Sequence, residues 1–306
     1  MKISRNNIPL IRSIVFLTLI LSFIVHLRAG ESVRIASYNL RNYLITDRLV
    51  EGTWLKAYPK PEVEKSIIQE GLLAVKPDIL VVQEIGGMPF LFELKEDLKA
   101  LGLDYPFAIL MEGEDSERMT GLLSRIKPSY SVQHKDLEFK YFDEKRSVLR
   151  GMLEVGFKGE ISFSIFSVHL KSRYTSDRRD IESVRYRTSE AQACRDRILK
   201  QKDANKFLHY VICGDFNDGP NSAPLRRFYK KGSRIIGHQI FPIDRSGNHW
   251  THFYAKEKAY TTVDGFVVSP SLENRVVKDS ERIWDTDDYY TGSDHRLVYF
   301  DLAISK

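Results

Sequence analysis

Short apolar runs of strand length alternate with amphipathic runs of helix length along most of the chain. Strands are predicted at residues 33–38, 79–82, 161–170, 208–213, 261–268 and 297–303. Three helices are predicted. The first follows Pro61 and has Val63, Ile67, Leu72 and Leu73 near one face. The second carries the stripe Leu91, Leu94, Leu98 and Leu101 and stops at Gly102, and the third covers residues 180–201. The run 79–82 does not alternate, which indicates a strand buried on both faces. This series predicts one mixed α and β domain over residues 31–306, with two packed sheets covered by helices.

The first 30 residues form a separate unit. Lys2, Arg5 and Arg12 precede an apolar run over residues 14–25. A basic segment before such a run predicts a secretory signal peptide and therefore an exported protein, either periplasmic or secreted. An uncleaved membrane anchor is the alternative, because residues 8–27 are nearly long enough to span a bilayer. An anchor would associate the protein with a membrane.

The charge and the cysteine content of the remaining 276 residues exclude only a few functions and site types. The 306-residue chain has a formal charge of +5, but four of its basic residues lie in the leader, so the rest is close to neutral. That balance lacks the strong basic excess of a tight duplex binder. Cys194 and Cys213 are the only cysteines, which excludes a disulfide framework and a cysteine zinc site. The apolar surroundings of Cys213 predict a buried, reduced thiol.

Polar side chains recur where the predicted strands begin or end. They are Asn39, Gln83, Glu84, His169, Asp215, Asn217, Asp264, Asp294 and His295. Each alone has a simpler explanation as a turn residue, a helix cap or a buried histidine. Their repetition at the ends of rigid strands predicts a shared rim at which chemistry takes place.

In the stretches around these residues the chain resembles the endonuclease/exonuclease/phosphatase superfamily, which has the DNase I-like fold. The matching stretches are SYNLRN (37–42), KPDILVVQEIGG (76–87), SVHLKS (167–172), ICGDFND (212–218), TVDGFVVSP (262–270) and GSDHRLV (292–298). The resemblance implies an α+β fold, a four-layer α/β/β/α sandwich, and metal-dependent phosphoester hydrolysis. The chain departs from the family in having Gly265 where a tyrosine is frequent. Some members also have an acid that orients the strand-end histidine, and the candidates here are Glu112, Glu114 and Asp115.

The resemblance also implies roles for individual residues. Glu84 is the leading metal ligand, with Asn39 and Asp294 beside it. Oxygen donors favour Mg²⁺, with Mn²⁺ or Ca²⁺ as alternatives, over zinc. Among the catalytic residues, Asp215 would activate water and Asn217 would contact the phosphate or the nucleophile. Asp264 would orient His295, which would contact the phosphoryl oxygen. His169 would bind the phosphate or assist the leaving group.

Several basic and histidine-rich stretches have both a functional and a purely structural interpretation. Lys171 and Arg173 follow His169 closely, which predicts contacts with substrate phosphate. The basic segment 171–206 either tracks a polyanion or is a solvated helix. The sequence HWTH at 249–252 favours a packed aromatic loop over a zinc site, because no nearby cysteine or acid completes the ligand set.

Three functions are compatible with these features. The first is a metal-dependent phosphodiesterase, most simply a nuclease acting on nucleic acid. The second is hydrolysis of lipid-headgroup or small phosphate esters, which the near-neutral charge keeps open. The third is a non-catalytic binding module, against which the complete set of acids and histidines argues. The sequence contains no feature that indicates a protein partner.

Overall fold

A computed structural model describes residues 32–206 and 208–305. Its first half contains β1 (Ser32–Tyr43), β2 (Thr46–Val50), β3 (Thr53–Tyr58), α1 (Glu62–Val75), β4 (Ile79–Ile85), α2 (Met88–Ala100), β5 (Phe107–Met111), β6 (Met119–Ser124), β7 (Tyr130–His134), β8 (Glu138–Tyr141), β9 (Glu144–Ser147) and β10 (Met152–Phe157). Its second half contains β11 (Phe163–His169), a 3₁₀ turn (Ile181–Ser183), α3 (Val184–Ala204), β12 (Tyr210–Asp215), α4 (Ala223–Tyr229), β13 (Lys230–Lys231), β14 (Arg234–Ile235), β15 (His238–Ile240), β16 (His252–Tyr254), β17 (Ala259–Thr261), β18 (Asp264–Val268), a second 3₁₀ turn (Pro270–Arg275), β19 (Arg282–Ile283), α5 (Tyr289–Gly292) and β20 (Val298–Ala303).

Two six-stranded sheets form the centre of the molecule. Their strand orders are β19-β20-β1-β4-β6-β5 and β15-β18-β12-β11-β10-β7. The strands β1 and β4 are parallel, as are β11 and β12, and the other neighbours are antiparallel. Each parallel pair therefore ends together at one edge of its sheet.

Alternation along the strands creates three separate cores, because successive side chains point to opposite faces of a sheet. In β1, Val33 and Ile35 join the core between the two sheets, whereas Ala36 and Tyr38 pack with the buried residues of α1 and α2. A third core joins α3 and α4 to the outer face of the second sheet. The layers therefore run helices, sheet, sheet, helices, as predicted. Each fully buried aliphatic side chain in these cores stabilises the fold by about 1.5–3 kcal/mol.

The first two predicted helices exist, although their buried faces differ from the sequence prediction. In α1, Ile68, Leu72 and Val75 are buried. Of the predicted face only Leu72 is fully buried, because Ile67 and Leu73 are half-buried and Val63, in the first turn, is 62% exposed. Helix α2 buries the predicted leucine stripe as far as Leu98. It ends at Ala100, so Leu101 falls outside the helix and is 51% exposed.

The predicted strands and the third helix are shifted by a few residues. The strand predicted at 208–213 continues to Asp215, and the run at 261–268 divides into the end of β17 and all of β18. Helix α3 begins at Val184 rather than at Asp180, because Glu182 and Ser183 have positive φ values of 57° and 53° and interrupt the helical backbone. Six strands of the two central sheets have no counterpart in the sequence prediction, namely β5, β6, β7, β10, β15 and β19. The short hairpins outside these sheets have none either.

Three further predictions concern export and thiols. The leader predicted at residues 1–30 lies outside the described residues. Among residues 32–206 and 208–305, every helix is too short or too polar to cross a membrane. Cys194 and Cys213 are both buried free cysteines, and burial raises the pKa of each thiol well above its ordinary value.

Candidate active site

Polar residues from both sheets meet at the edge where the parallel strands end. Each lies two or four positions from a side chain of the core between the sheets, so the alternation of the strand places it on the same inner face. The pairs are Ile35 with Asn39, Ile165 with His169, Cys213 with Asp215, and Phe266 with Asp264. In the second sheet, Asp215 is in register with both His169 and Asp264. Across the sheets, Asn39 Nδ2 donates to Asp215 Oδ2 at 3.1 Å.

Asp215 is the centre of this group and is 1% exposed. Its Oδ1 accepts the backbone N–H of Asn217 at 2.8 Å, and His169 Nε2 and His295 Nε2 lie 3.5 Å and 3.9 Å from its Oδ2. Burial raises the pKa of Asp215 to about 7, Asp264 adds to the increase, and His295 opposes it. A carboxyl group with that pKa can accept a proton from water near neutral pH.

His295 and Asp264 form a buried hydrogen-bonded pair. Nδ1 of His295 lies 2.8 Å from Oδ2 of Asp264. Burial disfavours the protonated imidazole, but the carboxylates of Asp264 and Asp215 outweigh burial and raise the pKa of His295. The ring is therefore held as a cation whose Nε2 faces Asp215 at 3.9 Å. The sequence analysis predicted the contact between Asp264 and His295 but not the charge of the ring.

His169 is also buried, but its pKa is shifted in the direction opposite to that of His295. Burial, followed by the positive charges of Arg150 and His295, lowers the pKa of His169 well below its ordinary value. Among the described residues its Nδ1 has no hydrogen-bond partner. None of the three predicted acids, Glu112, Glu114 and Asp115, bonds to this nitrogen. Glu112 pairs with Lys135 and Asp115 pairs with Arg150.

The end of β12 and the turn after it depend on unusual backbone angles. Gly214 has a φ of 139°, and a Cβ atom there would lie 1.9 Å from the Val168 carbonyl oxygen, so only glycine fits. Asn217 has a φ of 52°, a region in which asparagine is enriched. Its Nδ2 donates to the Leu170 carbonyl at 2.9 Å and to Asp215 at 3.2 Å. The turn thus holds Asn217 between the ends of β11 and β12.

Glu84 lies at a bulge near the end of β4. Its φ is 58°, and the register of β4 shifts at this point against both β1 and β6. The bulge interrupts the alternation that would otherwise direct Glu84 toward the helices. Its Oε2 accepts the backbone N–H of Asn42 at 2.9 Å, and the residue is half-buried. Glu84 therefore reaches the irregular end of β1 that follows Asn39.

All three predicted metal ligands contact the segment 39–42. Besides the bond from Asn42 to Glu84, Asn39 Oδ1 accepts the Arg41 N–H at 3.0 Å, and Asp294 Oδ2 lies 3.6 Å from Arg41 Nε. Carboxylate and amide oxygens are the donors that Mg²⁺ prefers. The donor set therefore fits a hard divalent cation in its chemistry.

A second grouping of metal-type ligands lies deeper. Asp215, Asp264 and His295 have ligand atoms within 4.8 Å of one another and are the one such cluster among the described residues. The carboxylates of Asp264 and Asp215 raise the pKa of His295, and Nδ1 of His295 is bonded to Asp264. The cluster therefore has the contacts of an Asp–His pair, and its carboxylates also offer the oxygen donors that a hard cation prefers.

The two predicted phosphate-binding residues differ in their surroundings. Lys171 Nζ donates to the Ser172 carbonyl at 3.2 Å and to the Tyr174 carbonyl, so its ammonium group is bound within its own loop. That contact weakens its assignment to substrate phosphate. Arg173 is exposed, and its contact with phosphate stays a prediction.

His252 is a site residue that the sequence analysis placed in an aromatic loop. The loop is aromatic as interpreted, with the Trp250 ring 4.8 Å from that of Tyr260. His252, however, forms a backbone bridge with His295, and their ring centroids are 4.5 Å apart. Its Nδ1 lies 3.1 Å from Thr261 Oγ1. No spacing signal in the sequence connects residues 252 and 295, which only the fold brings together.

The basic segment 171–206 is not simply a solvated helix. Arg187, Glu190 and Arg195 of α3 are all buried. They share the inner face of the helix with the buried apolar residues Ala191, Cys194, Ile198 and Leu199. Periodicity of apolar residues could not reveal that charged groups are buried there as well.

A sequence profile of the endonuclease/exonuclease/phosphatase family matches residues 36–295, a span that includes the whole site from Asn39 to His295. The chain belongs to the endonuclease/exonuclease/phosphatase family. This family includes phosphoester hydrolases and nucleases and is generally dependent on divalent metals. A comparison with curated proteins gives no significant match.

Solved structures of this family share the architecture. The catalytic domain of human Nocturnin with bound sulfate has a TM-score of 0.58 and 17% identity, covering 90% of this chain and 95% of that chain. Truncated TDP2 from Caenorhabditis elegans has a TM-score of 0.59 and 15% identity, covering 90% and 99%. A family protein from Bacteroides thetaiotaomicron has a TM-score of 0.60 and 18% identity, covering 89% and 95%. These similarities confirm the predicted DNase I-like fold.

Gly265 is a position at which this member of the endonuclease/exonuclease/phosphatase family departs from the frequent tyrosine. It lies opposite Gly214 in the pairing of β12 with β18. A Cβ atom at Gly265 would meet the Ile240 carbonyl oxygen at 3.9 Å, an ordinary contact. The backbone therefore leaves room for a side chain at this position.

Proposed function

We propose that this protein is an exported, metal-dependent phosphodiester hydrolase whose first candidate substrate is nucleic acid. The observation that carries the proposal is the contact of Asp215 with Asn39, His169 and His295 at one buried edge. That edge combines a carboxyl group of raised pKa with a cationic imidazole. An attack by water on a phosphodiester needs both a base and positive charge near the phosphoryl oxygens.

The charge of each residue determines its proposed role in hydrolysis. Asp215 accepts the proton of the attacking water, and Asn217 holds the water or the phosphate beside it. His295, kept cationic by Asp264, stabilises negative charge that develops on the phosphoryl oxygens. His169 is neutral, because its pKa is lowered, and donates a hydrogen bond to the phosphate or the leaving oxygen.

A divalent cation completes the proposed site. Asn39, Glu84 and Asp294 would hold it, since their oxygens all border the segment 39–42. When bound, the cation would neutralise charge on the phosphoryl group. Mg²⁺ is the first candidate because the donors are oxygen atoms, and Mn²⁺ or Ca²⁺ are alternatives.

A substrate panel tests this function. The chain without its leader would be incubated with Mg²⁺ and plasmid DNA, single-stranded DNA, RNA, sphingomyelin, phosphoinositides and a bis-aryl phosphodiester. We expect cleavage of the bis-aryl compound and of at least one nucleic acid, and no cleavage by the Asp215→Asn variant. Absence of hydrolysis on every substrate would refute the proposal.

One observation favours lipid-headgroup esters as the second candidate. Leu49 and Trp54 are opposite each other in the β2–β3 hairpin and are 57% and 71% exposed. The hairpin follows β1, which carries Asn39 of the site, and the pair lies next to the tip of the hairpin. An exposed Trp–Leu pair at the tip of a hairpin suits an interface with lipid.

Vesicle binding distinguishes this second candidate from the first. Sedimentation with phosphatidylglycerol-containing vesicles would compare the wild type with Leu49→Ser/Trp54→Ser. Ile235→Ser is the control, because Ile235 is 59% exposed and lies in β14, outside the two central sheets. Loss of vesicle binding in the double variant alone supports lipid. Equal binding by all three proteins removes the reason for this candidate.

A further inference from the structure

We propose that α3 is a positioning helix for the hydrolytic site. Arg187 and Glu190 hold the two chain segments that follow β11 and β12, and thereby set His169 and Asn217 relative to each other. This inference rests on the proposed function, because it concerns how the same site is kept in working geometry. Neither residue contacts the reacting atoms, so both are positioning residues.

Arg187 is 1% exposed and joins three chain segments from this buried position. Its Nε and Nη2 donate to Asp218 Oδ2 at 3.1 Å and 3.0 Å. Its Nη1 donates to the carbonyl oxygens of Lys171 at 3.2 Å and Glu182 at 2.7 Å. A single guanidinium group thus connects the loop after β11, the loop after β12 and the start of α3.

Glu190 completes the hold on the loop after β11. It is 0% exposed, and its Oε2 accepts the backbone N–H of Lys171 at 2.6 Å. Its Oε1 accepts the N–H of Leu149 at 2.9 Å. Both backbone polar groups of Lys171 are therefore bound by α3, one by Glu190 and the other by Arg187. Lys171 is two residues from His169, so the helix controls the backbone next to that histidine.

Direct bonds link the two loops at the site itself. The backbone N–H of Leu170 donates to the Asp215 carbonyl at 3.0 Å, and Asn217 Nδ2 donates to the Leu170 carbonyl at 2.9 Å. Asp218, the partner of Arg187, follows Asn217 immediately. A change in the Arg187–Asp218 contact therefore passes through one peptide unit to Asn217 and its bond with Asp215.

The buried contact of Arg187 with Asp218 and Lys171 is better explained by orientation of the two loops than by stabilisation of the fold alone. Buried ion pairs are costly to desolvate, and an apolar pair of similar volume often stabilises a fold as well or better. An apolar side chain at position 187 could not bind the Lys171 carbonyl and Asp218 at once. Residues that orient active groups from outside typically change activity by about 10–100-fold when they are removed.

The test compares Arg187→Lys and Asp218→Asn with a matched control on the same helix. Arg195→Lys is that control, because Arg195 is also buried but pairs with Asp196, away from both loops. We expect each test variant to lose about 10–100-fold in kcat on a bis-aryl phosphodiester, with KM changed less than about threefold. The double variant should lose little more than either single variant, since both break one contact. The control should keep its kcat.

A second measurement is independent of activity. Hydrogen exchange followed by mass spectrometry would report on peptides that contain residues 169–172 and 216–219. We expect faster exchange in both peptides of Arg187→Lys and unchanged exchange in peptides from β1 and β4. Unchanged kcat in a folded Arg187→Lys protein, or faster exchange across the whole chain, would overturn the inference. If the wild type hydrolyses no phosphodiester, the proposed function fails, and the exchange result alone decides whether α3 holds the two loops.

Discussion

His295, which lies just before a strand of the first sheet, and Asp264, which begins a strand of the second, are joined by a 2.8 Å hydrogen bond between Nδ1 and Oδ2. The bond leaves Nε2 of His295 facing Asp215 at 3.9 Å. It also keeps a positive charge in a place where burial alone would remove it. The acid, the imidazole and the base therefore form one electrostatic unit, and changing any of them alters the other two.

Replacing Asp264 with asparagine should lower both activity and the pH at which activity is lost. The asparagine side chain would keep the size of the aspartate but remove the charge that raises the pKa of His295, so the imidazole would lose its proton at lower pH. We expect kcat to fall by about 10²–10⁴-fold at neutral pH. The alkaline limb of the kcat profile should also move to lower pH. Asp287→Asn, in an exposed loop, is the control, and an unmoved alkaline limb would contradict this role.

Asp215→Asn should abolish turnover without unfolding the protein. Asparagine is isosteric with aspartate but cannot accept a proton from water, and loss of a positioned base costs about 10²–10⁴-fold or more. Far-ultraviolet circular dichroism and thermal unfolding would check the fold, and bis-aryl phosphodiester hydrolysis would check the activity. Activity within a few-fold of wild type in a folded variant would exclude Asp215 as the base.

Metal removal should stop the reaction, and Glu84 should determine how much metal is needed. EDTA is expected to abolish activity, and added Mg²⁺ or Mn²⁺ should restore it. Glu84→Gln removes a charged oxygen donor, so half-maximal activity should require at least about tenfold more Mg²⁺. Glu112→Gln is a suitable control, because Glu112 is exposed and pairs with Lys135. Full activity after exhaustive chelation would refute the metal requirement.

Glu190 should make stability fall as the pH rises. Burial raises its pKa from 4.5 to about 7, so between these values the native state binds more protons than the unfolded state. The free energy of unfolding then decreases with pH over that window, at up to about 1.4 kcal/mol per pH unit. Urea unfolding from pH 4.5 to 7.5 would compare the wild type with Glu190→Gln. The difference between their free energies should change with pH, and a constant difference would count against the raised pKa.

Substitution by alanine should destabilise the protein strongly at Gly214 and only slightly at Gly265. A Cβ at Gly214 would lie 1.9 Å from the Val168 carbonyl oxygen, at a φ of 139°, so Gly214→Ala should destabilise the protein by about 2–5 kcal/mol or prevent folding. Gly265→Ala meets its nearest atom at 3.9 Å and should change stability by less than about 1 kcal/mol. Thermal unfolding of the two variants measures the contrast, and equal losses would contradict it.

Much of the fold was predictable because its signals are local. Apolar runs of strand length and the leucine stripe of α2 report burial directly, and they identify two covered sheets. The motifs around Asn39, Asp215 and His295 identify the family and predict the four-layer sandwich. The helix ends were less predictable: Leu101 continues the stripe in sequence, but the helix ends at Ala100.

The sequence by itself determined which polar residues stand at the ends of strands, since the period of two places Asn39, His169, Asp215 and Asp264 on inner faces. Only the tertiary structure decided what else joins them. His252 meets His295 through a bridge between distant segments, and Arg187 reaches Asp218 across 31 residues of sequence. Such contacts depend on how layers pack, and a buried arginine on a charged helix looks in sequence like a solvated one. Periodicity detects apolar burial, whereas buried charge is specified by its partners.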